Sequence, residues 1–179
     1  MRQGRIKLFC LFLVFSMVLA CFASCGQDRT SGETIEELLK AHGELTAPTF
    51  LLNNVSAMPG DQNVAVVVYV KNNPGIASIA LTLSYDTDVL HLAGYEFNPQ
   101  IGGQYVSYHP DVSVPKLVWL NWSENVDGDW VFATLYFDIS KNAPQGTFPV
   151  SVTYNPDDVY NFAEENITFG IIGGSVAVK

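Results

Sequence analysis

From about Leu51 onward the chain alternates apolar and small or polar residues with the period of two that marks a half-buried strand. In Ile76–Tyr85, for example, Ile79, Leu81, Leu83 and Tyr85 share one side, and Ser78, Ala80, Thr82 and Ser84 the other. The first set reads as core. Similar β-branched and aromatic runs recur near residues 49–56, 63–71, 76–85, 89–97, 103–108, 116–123, 130–139, 147–154 and 167–178. Between them stand Met58-Pro59-Gly60-Asp61, Asn72-Asn73-Pro74-Gly75, Asp127-Gly128-Asp129 and Asn142-Ala143-Pro144-Gln145-Gly146. Each predicts a turn through a fixed φ, a permissive glycine or an Asx side chain. Short strands in this number, with no long helix, predict an all-β sandwich or barrel. Alternation leaves one strand undecided. In Lys116–Ser123, Val118, Leu120 and Trp122 fall together and Leu117, Trp119, Asn121 and Ser123 lie opposite, so both sides carry aromatics.

Before the strands the pattern differs. Arg2, Arg5 and Lys7 precede and overlap an apolar run, Ile6 to Ala20, followed by the small residues Ala23 and Ser24. That order is a secretory signal, the alternative being a membrane anchor at the short end of spanning length. Cys10, Cys21 and Cys25 are all in or beside this leader, so the remaining chain has no possible disulfide and depends on its core. The strings VLAC (18–21) and FASC (22–25) each resemble the bacterial lipoprotein processing box. The resemblance implies lipidation at Cys21 or Cys25 and a place on the extracellular face of the cell membrane; cleavage without a lipid is the other reading. Residues 26–48 are polar, with one helical piece in which Thr34 caps, Glu37 stands three residues on, Ile35, Leu38 and Leu39 share a face, and Gly43 stops it. About two turns are marginal in isolation, so this segment reads as a stalk. The expected organisation is a leader over 1–25, a stalk over 26–48 and a sandwich over 49–179.

Composition agrees. Charged residues make up 15 % of the chain and aromatics 12 %, with 14 Gly and 9 Pro, a mixture suited to strands and turns. The net charge is -9, and three of the nine basic residues sit in the leader. A chain this acidic repels phosphate backbones, which argues against nucleic acid. Catalysis finds no constellation: His42, His91 and His109 are scattered, and the adjacent acids Asp157-Asp158 and Glu164-Glu165 read as solvated loops. The string Asn125 to Asp129 suggests calcium only superficially. Its glycine is misplaced for a twelve-residue loop and Tyr136 stands where the bidentate Glu belongs, so a hairpin turn is expected there, with no metal site and no enzyme.

A family resemblance rests on an ordered set of strings: Pro59-Gly60-Asp61, Asn73-Pro74-Gly75-Ile76-Ala77, Leu83-Ser84-Tyr85-Asp86 with Val89-Leu90, Val131 to Leu135, Asn142 to Gly146 and Ile172-Gly173-Gly174-Ser175-Val176. Together they resemble a cohesin domain, the module of cellulosome scaffolds. The resemblance implies a nine-stranded jelly roll whose third, fifth, sixth and eighth strands form a flat face that receives a dockerin module, calcium being bound by the dockerin alone. Carried over by position, Ser78, Ala80 and Thr82 fall on that face, with Trp119 and Asn121 beside them and Glu124 as a rim carboxylate. Ser78 and Ala80 stand where an Asn and an Asp often serve in the family, which bears on dockerin specificity. Trp119 has two readings, an aromatic anchor for the partner or a core residue. Two rival functions remain: a carbohydrate-binding module stacking sugars on Tyr105, Tyr108, Trp119, Trp122 and Trp130, and a purely structural surface lipoprotein. An exposed coplanar strip of rings would favour sugar; one ring on a flat, small-residue face would favour protein.

Overall fold

The computed structural model describes residues 31–106 and 115–179. The expected leader, with Cys21 and Cys25, lies outside the described residues, as does Tyr108. Among the described residues there are twelve strands and one α-helix: β1 (Ser31–Gly32), α1 (Ile35–His42), β2 (Thr49–Leu52), β3 (Asn54–Ala57), β4 (Val64–Ile76), β5 (Ser78–Tyr85), β6 (Leu90–Phe97), β7 (Gln104–Val106), β8 (Lys116–Leu120), β9 (Val126–Ile139), β10 (Gly146–Tyr154), β11 (Gly170–Ile172) and β12 (Gly174–Val178). They form two sheets, one ordered β1-β3-β12-β10-β5-β8-β7 and the other β11-β2-β4-β9-β6. The all-β sandwich is therefore the observed fold.

Two of the expected strands each divide between the sheets. The first leaves one sheet after Leu52 and enters the other at Asn54, and the last makes the same switch at Gly173. The two crossings lie side by side. A Cβ on Gly174 would meet the Asn53 carbonyl oxygen at 2.2 Å, so only glycine fits there. Asn53, 4 % exposed, repairs the ladder at the break: its Oδ1 accepts from the Val67 amide at 2.8 Å and its Nδ2 donates to the Glu33 carbonyl at 2.9 Å.

The sequence-based expectation fails at two turn signals. Asn72 to Gly75 and Asp127 to Asp129 lie inside β4 and β9, opposite each other, with Asn73 paired to Gly128 and Ile76 to Val126. Both strings make bulges in long strands. Asn72, Gly75 and Gly128 take φ of 55°, 118° and 90°, and Asn73 replaces ladder bonds lost around Pro74 by donating to the Val126 carbonyl at 2.7 Å. The pairing resumes on both sides, so the backbone kinks without reversing.

The segment expected to be a stalk is, from residue 31, part of the fold. Thr34 and Glu37 form the expected capping box, the Glu37 amide donating to Thr34 Oγ1 at 3.2 Å and the Thr34 amide to Glu37 Oε2 at 2.9 Å. Leu38 is fully buried in a cluster with Leu51 and Tyr69, which Ile35, Leu39, Val131 and Ile172 border. β1 pairs with β3. Helix α1 thus covers apolar side chains on the outer side of the five-stranded sheet.

Between the sheets lies the main core, whose largest fully buried side chains include Trp119, Phe50, Phe132 and Phe137. Edge-to-face ring pairs run through it, Phe50 with Phe132 at 5.7 Å and Phe97 with Phe132 at 5.3 Å.

Candidate protein-binding face

The third, fifth, sixth and eighth strands of the sequence reading are β5, β7, β8 and β10, and they lie adjacent in the order β10-β5-β8-β7. Register places their outward side chains in rows. Ser151 pairs with Ser84 and Thr153 with Thr82, which in turn faces Lys116; Ala80 faces Val118, and Ser78 faces Leu120. Inward, Ile79, Leu81, Leu83, Leu117 and Trp119 are buried. Among the described side chains the outer surface is thus a sheet of short residues with one cation, Lys116, ending in a small apolar strip of Ala80, Val118 and Leu120.

The expected site residues separate. Ala80 and Thr82 lie on this face, partly exposed. Ser78 begins it but is 6 % exposed, because residue 160 bridges β5 at that point, with the Ser78 amide donating to the Tyr160 carbonyl at 3.1 Å. Asn121 is half-buried and its Oδ1 accepts from the Ser123 amide at 2.9 Å, closing an Asx turn. Glu124 is exposed and borders a polar cleft of about 590 Å³ shared with Gln100, Gly103 and Asp127.

Trp119 corrects the expectation: it is fully buried and belongs to the core. Its Nε1 donates to the Gly102 carbonyl at 2.8 Å, and a Cβ on Gly103 would stand 2.5 Å from that nitrogen. Gly103 leaves room for the indole edge, and the Gly102 carbonyl accepts its N–H. The phase of the strand follows from Lys116, whose charge must reach water and which therefore sends Val118 and Leu120 outward with it. Trp122 is 68 % exposed just past the end of β8, and its Nε1 donates to Gln104 Oε1 at 3.2 Å. Gln104 pairs with Leu120, so the ring stands at the apolar end of the face. The positions implied by the family resemblance do not include Trp122. The alternation set of Val118, Leu120 and Trp122 already contained it.

Of the rings that would stack sugar, Trp119 is in the core, and Trp130 is half-buried on the other sheet against Phe132 at 5.9 Å, donating to the Asp127 carbonyl at 2.9 Å. Trp122 is the one exposed tryptophan among the described residues. No group of three or more metal-ligating side chains gathers among the described residues.

Comparison with known proteins gives one family. The cohesin domain profile matches residues 48–168. Similar solved structures include the cohesin of a Coh-OlpA–Doc918 type I cohesin–dockerin complex from Clostridium thermocellum, at 20 % identity and a TM-score of 0.64, covering 75 % of this chain and 100 % of that one. The sixth cohesin of Acetivibrio cellulolyticus scaffoldin B, in complex with a Cel5 dockerin, aligns at 21 % identity and a TM-score of 0.62 over 75 % of this chain and 100 % of that one. A non-cellulosomal cohesin from the archaeon Archaeoglobus fulgidus aligns at 16 % and 0.63, over 75 % and 92 %. No curated protein matches the chain.

Proposed function

Because the chain belongs to the cohesin domain family, a family of protein-interaction modules without catalysis, we propose that it binds a calcium-loaded dockerin module carried by a polysaccharide-degrading enzyme or a scaffold. The observation that carries this reading is the open face of β10, β5, β8 and β7, where Ser, Thr and Ala side chains let a helix approach the sheet closely. The opposite side of the sandwich is less free, since α1 occupies part of it. Similar folds crystallised with dockerins support the choice of partner. Ala80 and Thr82 would meet the docked helix near the centre, and Glu124 would fix its orientation at the rim more than its affinity. Trp122 is the one exposed tryptophan among the described residues, and a single ring on a small-residue face favours protein over polysaccharide.

The N-terminal leader supplies the second half of the reading. Lipid on Cys21 or Cys25 would hold the module on the extracellular face of the membrane, making it a cell-surface adaptor with room for one partner. The test is capture by the full chain, kept in mild detergent, of each dockerin module of the source organism produced singly. Capture with calcium that is lost in chelator is the expected outcome. Retention on insoluble polysaccharide with no dockerin captured would overturn the proposal in favour of sugar binding.

A further inference from the structure

Three large apolar side chains are exposed among the described residues: Met58, Trp122 and Phe162. Two of them sit on adjoining loops at one end of the seven-stranded sheet. Trp122 follows β8, and the Phe162 amide donates to Asn125 Oδ1 at 2.6 Å, three residues beyond Trp122. The loop of Phe162 is in turn pinned to the start of β5, where residues 78 and 160 bridge. An indole left 68 % in water beside Leu120 gains by burial, and its N–H is already satisfied by Gln104.

Charge says what kind of surface covers it. The two segments, residues 121–129 and 155–168, contain Glu124, Asp127, Asp129, Asp157, Asp158, Glu164 and Glu165 and no lysine or arginine; Lys71 on β4 pairs with Asp129. The segments that carry Trp122 and Phe162 are therefore acidic, whereas the middle of the face holds Lys116. A partner helix would complement this end only with basic side chains around a gap that admits an indole.

We infer that Trp122 is the specificity anchor of the binding face, inserting between basic side chains of a dockerin helix, with the carboxylates of the 121–129 and 155–168 loops steering that helix onto the anchor. The inference rests on the dockerin reading, and the experiment separates the two. Calorimetry of the full chain with a captured, calcium-loaded dockerin should give a dissociation constant weakened roughly 30-fold or more by Trp122→Ala, the loss typical of an interface hot spot. Thermal melting should be unchanged, since the ring is in water. Asp157→Asn with Asp158→Asn should slow association and flatten its dependence on salt while leaving dissociation nearly constant. Equal binding by wild type and Trp122→Ala would overturn the anchor and leave the dockerin reading standing. Binding of no dockerin by wild type would overturn both. Self-association of the wild type that Trp122→Ala abolishes would assign the end to a second copy of this chain, and would equally overturn the inference.

Discussion

Trp119 and Trp122 stand three residues apart, one in the core and one in water, which makes the pair a sharp test of the proposed site at the residue scale. Trp119 fills the end of the core and ties the Gly102–Gly103 loop through its indole N–H. Trp119→Ala should cost about 3–5 kcal/mol in denaturant unfolding, the range for deleting a large buried aromatic, and should weaken binding only as far as it unfolds the domain. Trp122→Ala should change stability by no more than about 0.5 kcal/mol. The reverse ordering of the two variants would exchange their roles. That Trp119 faces inward was legible once the strand's phase was read from Lys116; what the sequence did not contain was the indole's receiving pocket, which depends on a loop folding back from before β7. Lys71 and Asp129 give a second residue-scale prediction. Burial alone would raise the Asp129 carboxyl, but hydrogen bonds from the Lys71 ammonium and the Asn72 amide outweigh it and hold the group below its ordinary value. A carboxylate depressed in the folded state adds stability above its unfolded pKa of about 3.9 and loses it as pH falls through the folded value. Melting temperature should therefore fall less steeply below about pH 4 in Asp129→Asn than in wild type. Parallel acid profiles would show that the pair adds nothing across the bulge.

The largest departure from the sequence reading at the scale of elements is α1. Its capping box, its apolar face and its stop at Gly43 were all legible, because each is a local signal. Its docking was not, because it depends on which residues point outward from β2 and β4. A signal was nonetheless present: Thr49 to Leu52 and Val66 to Val70 are nearly continuous apolar runs, the pattern of strands covered on both faces rather than one. Leu51 and Tyr69 are the outward members, and Leu38 covers them. Leu38→Ala should cost about 2–5 kcal/mol by denaturant titration, although Leu38 lies outside the segment that matches the family, residues 48–168. A change within about 0.5 kcal/mol would return the helix to the status of a free stalk. The bulges in β4 and β9 teach the complementary lesson. Asn-Pro-Gly and Asp-Gly-Asp are strong turn strings taken singly, but here each faces the other across a ladder that resumes beyond them, and long-range pairing overrides local turn chemistry.

At the scale of the whole molecule, the sandwich and its binding sheet followed from alternation and resemblance together, while the count of strands did not, since switches at Asn53 and Gly173 occur inside apolar runs and are fixed by contacts between the two ends of the chain. The anchor proposed at Cys21 or Cys25 would lead into the same part of the fold. The chain enters the fold at β1, on one margin of the seven-stranded sheet, and β7 forms the other margin. Six inter-strand spacings of about 4.8 Å separate them, roughly 29 Å in all. A lipid joined to β1 by a few residues would hold the β1 margin toward the membrane and leave the Trp122 end outermost. Two measurements test this arrangement. In detergent phase separation, one of Cys21→Ser and Cys25→Ser should move the protein to the aqueous phase; retention of both single variants and of the double variant in the detergent phase would mean that the apolar leader itself is the anchor. The wild-type chain on liposomes should bind a soluble dockerin with the same dissociation constant as in detergent, because the anchor would join the β1 margin and the face spans the strands from β10 to the opposite, β7, margin. Loss of binding on liposomes alone would place the Trp122 end against the bilayer and reverse the orientation.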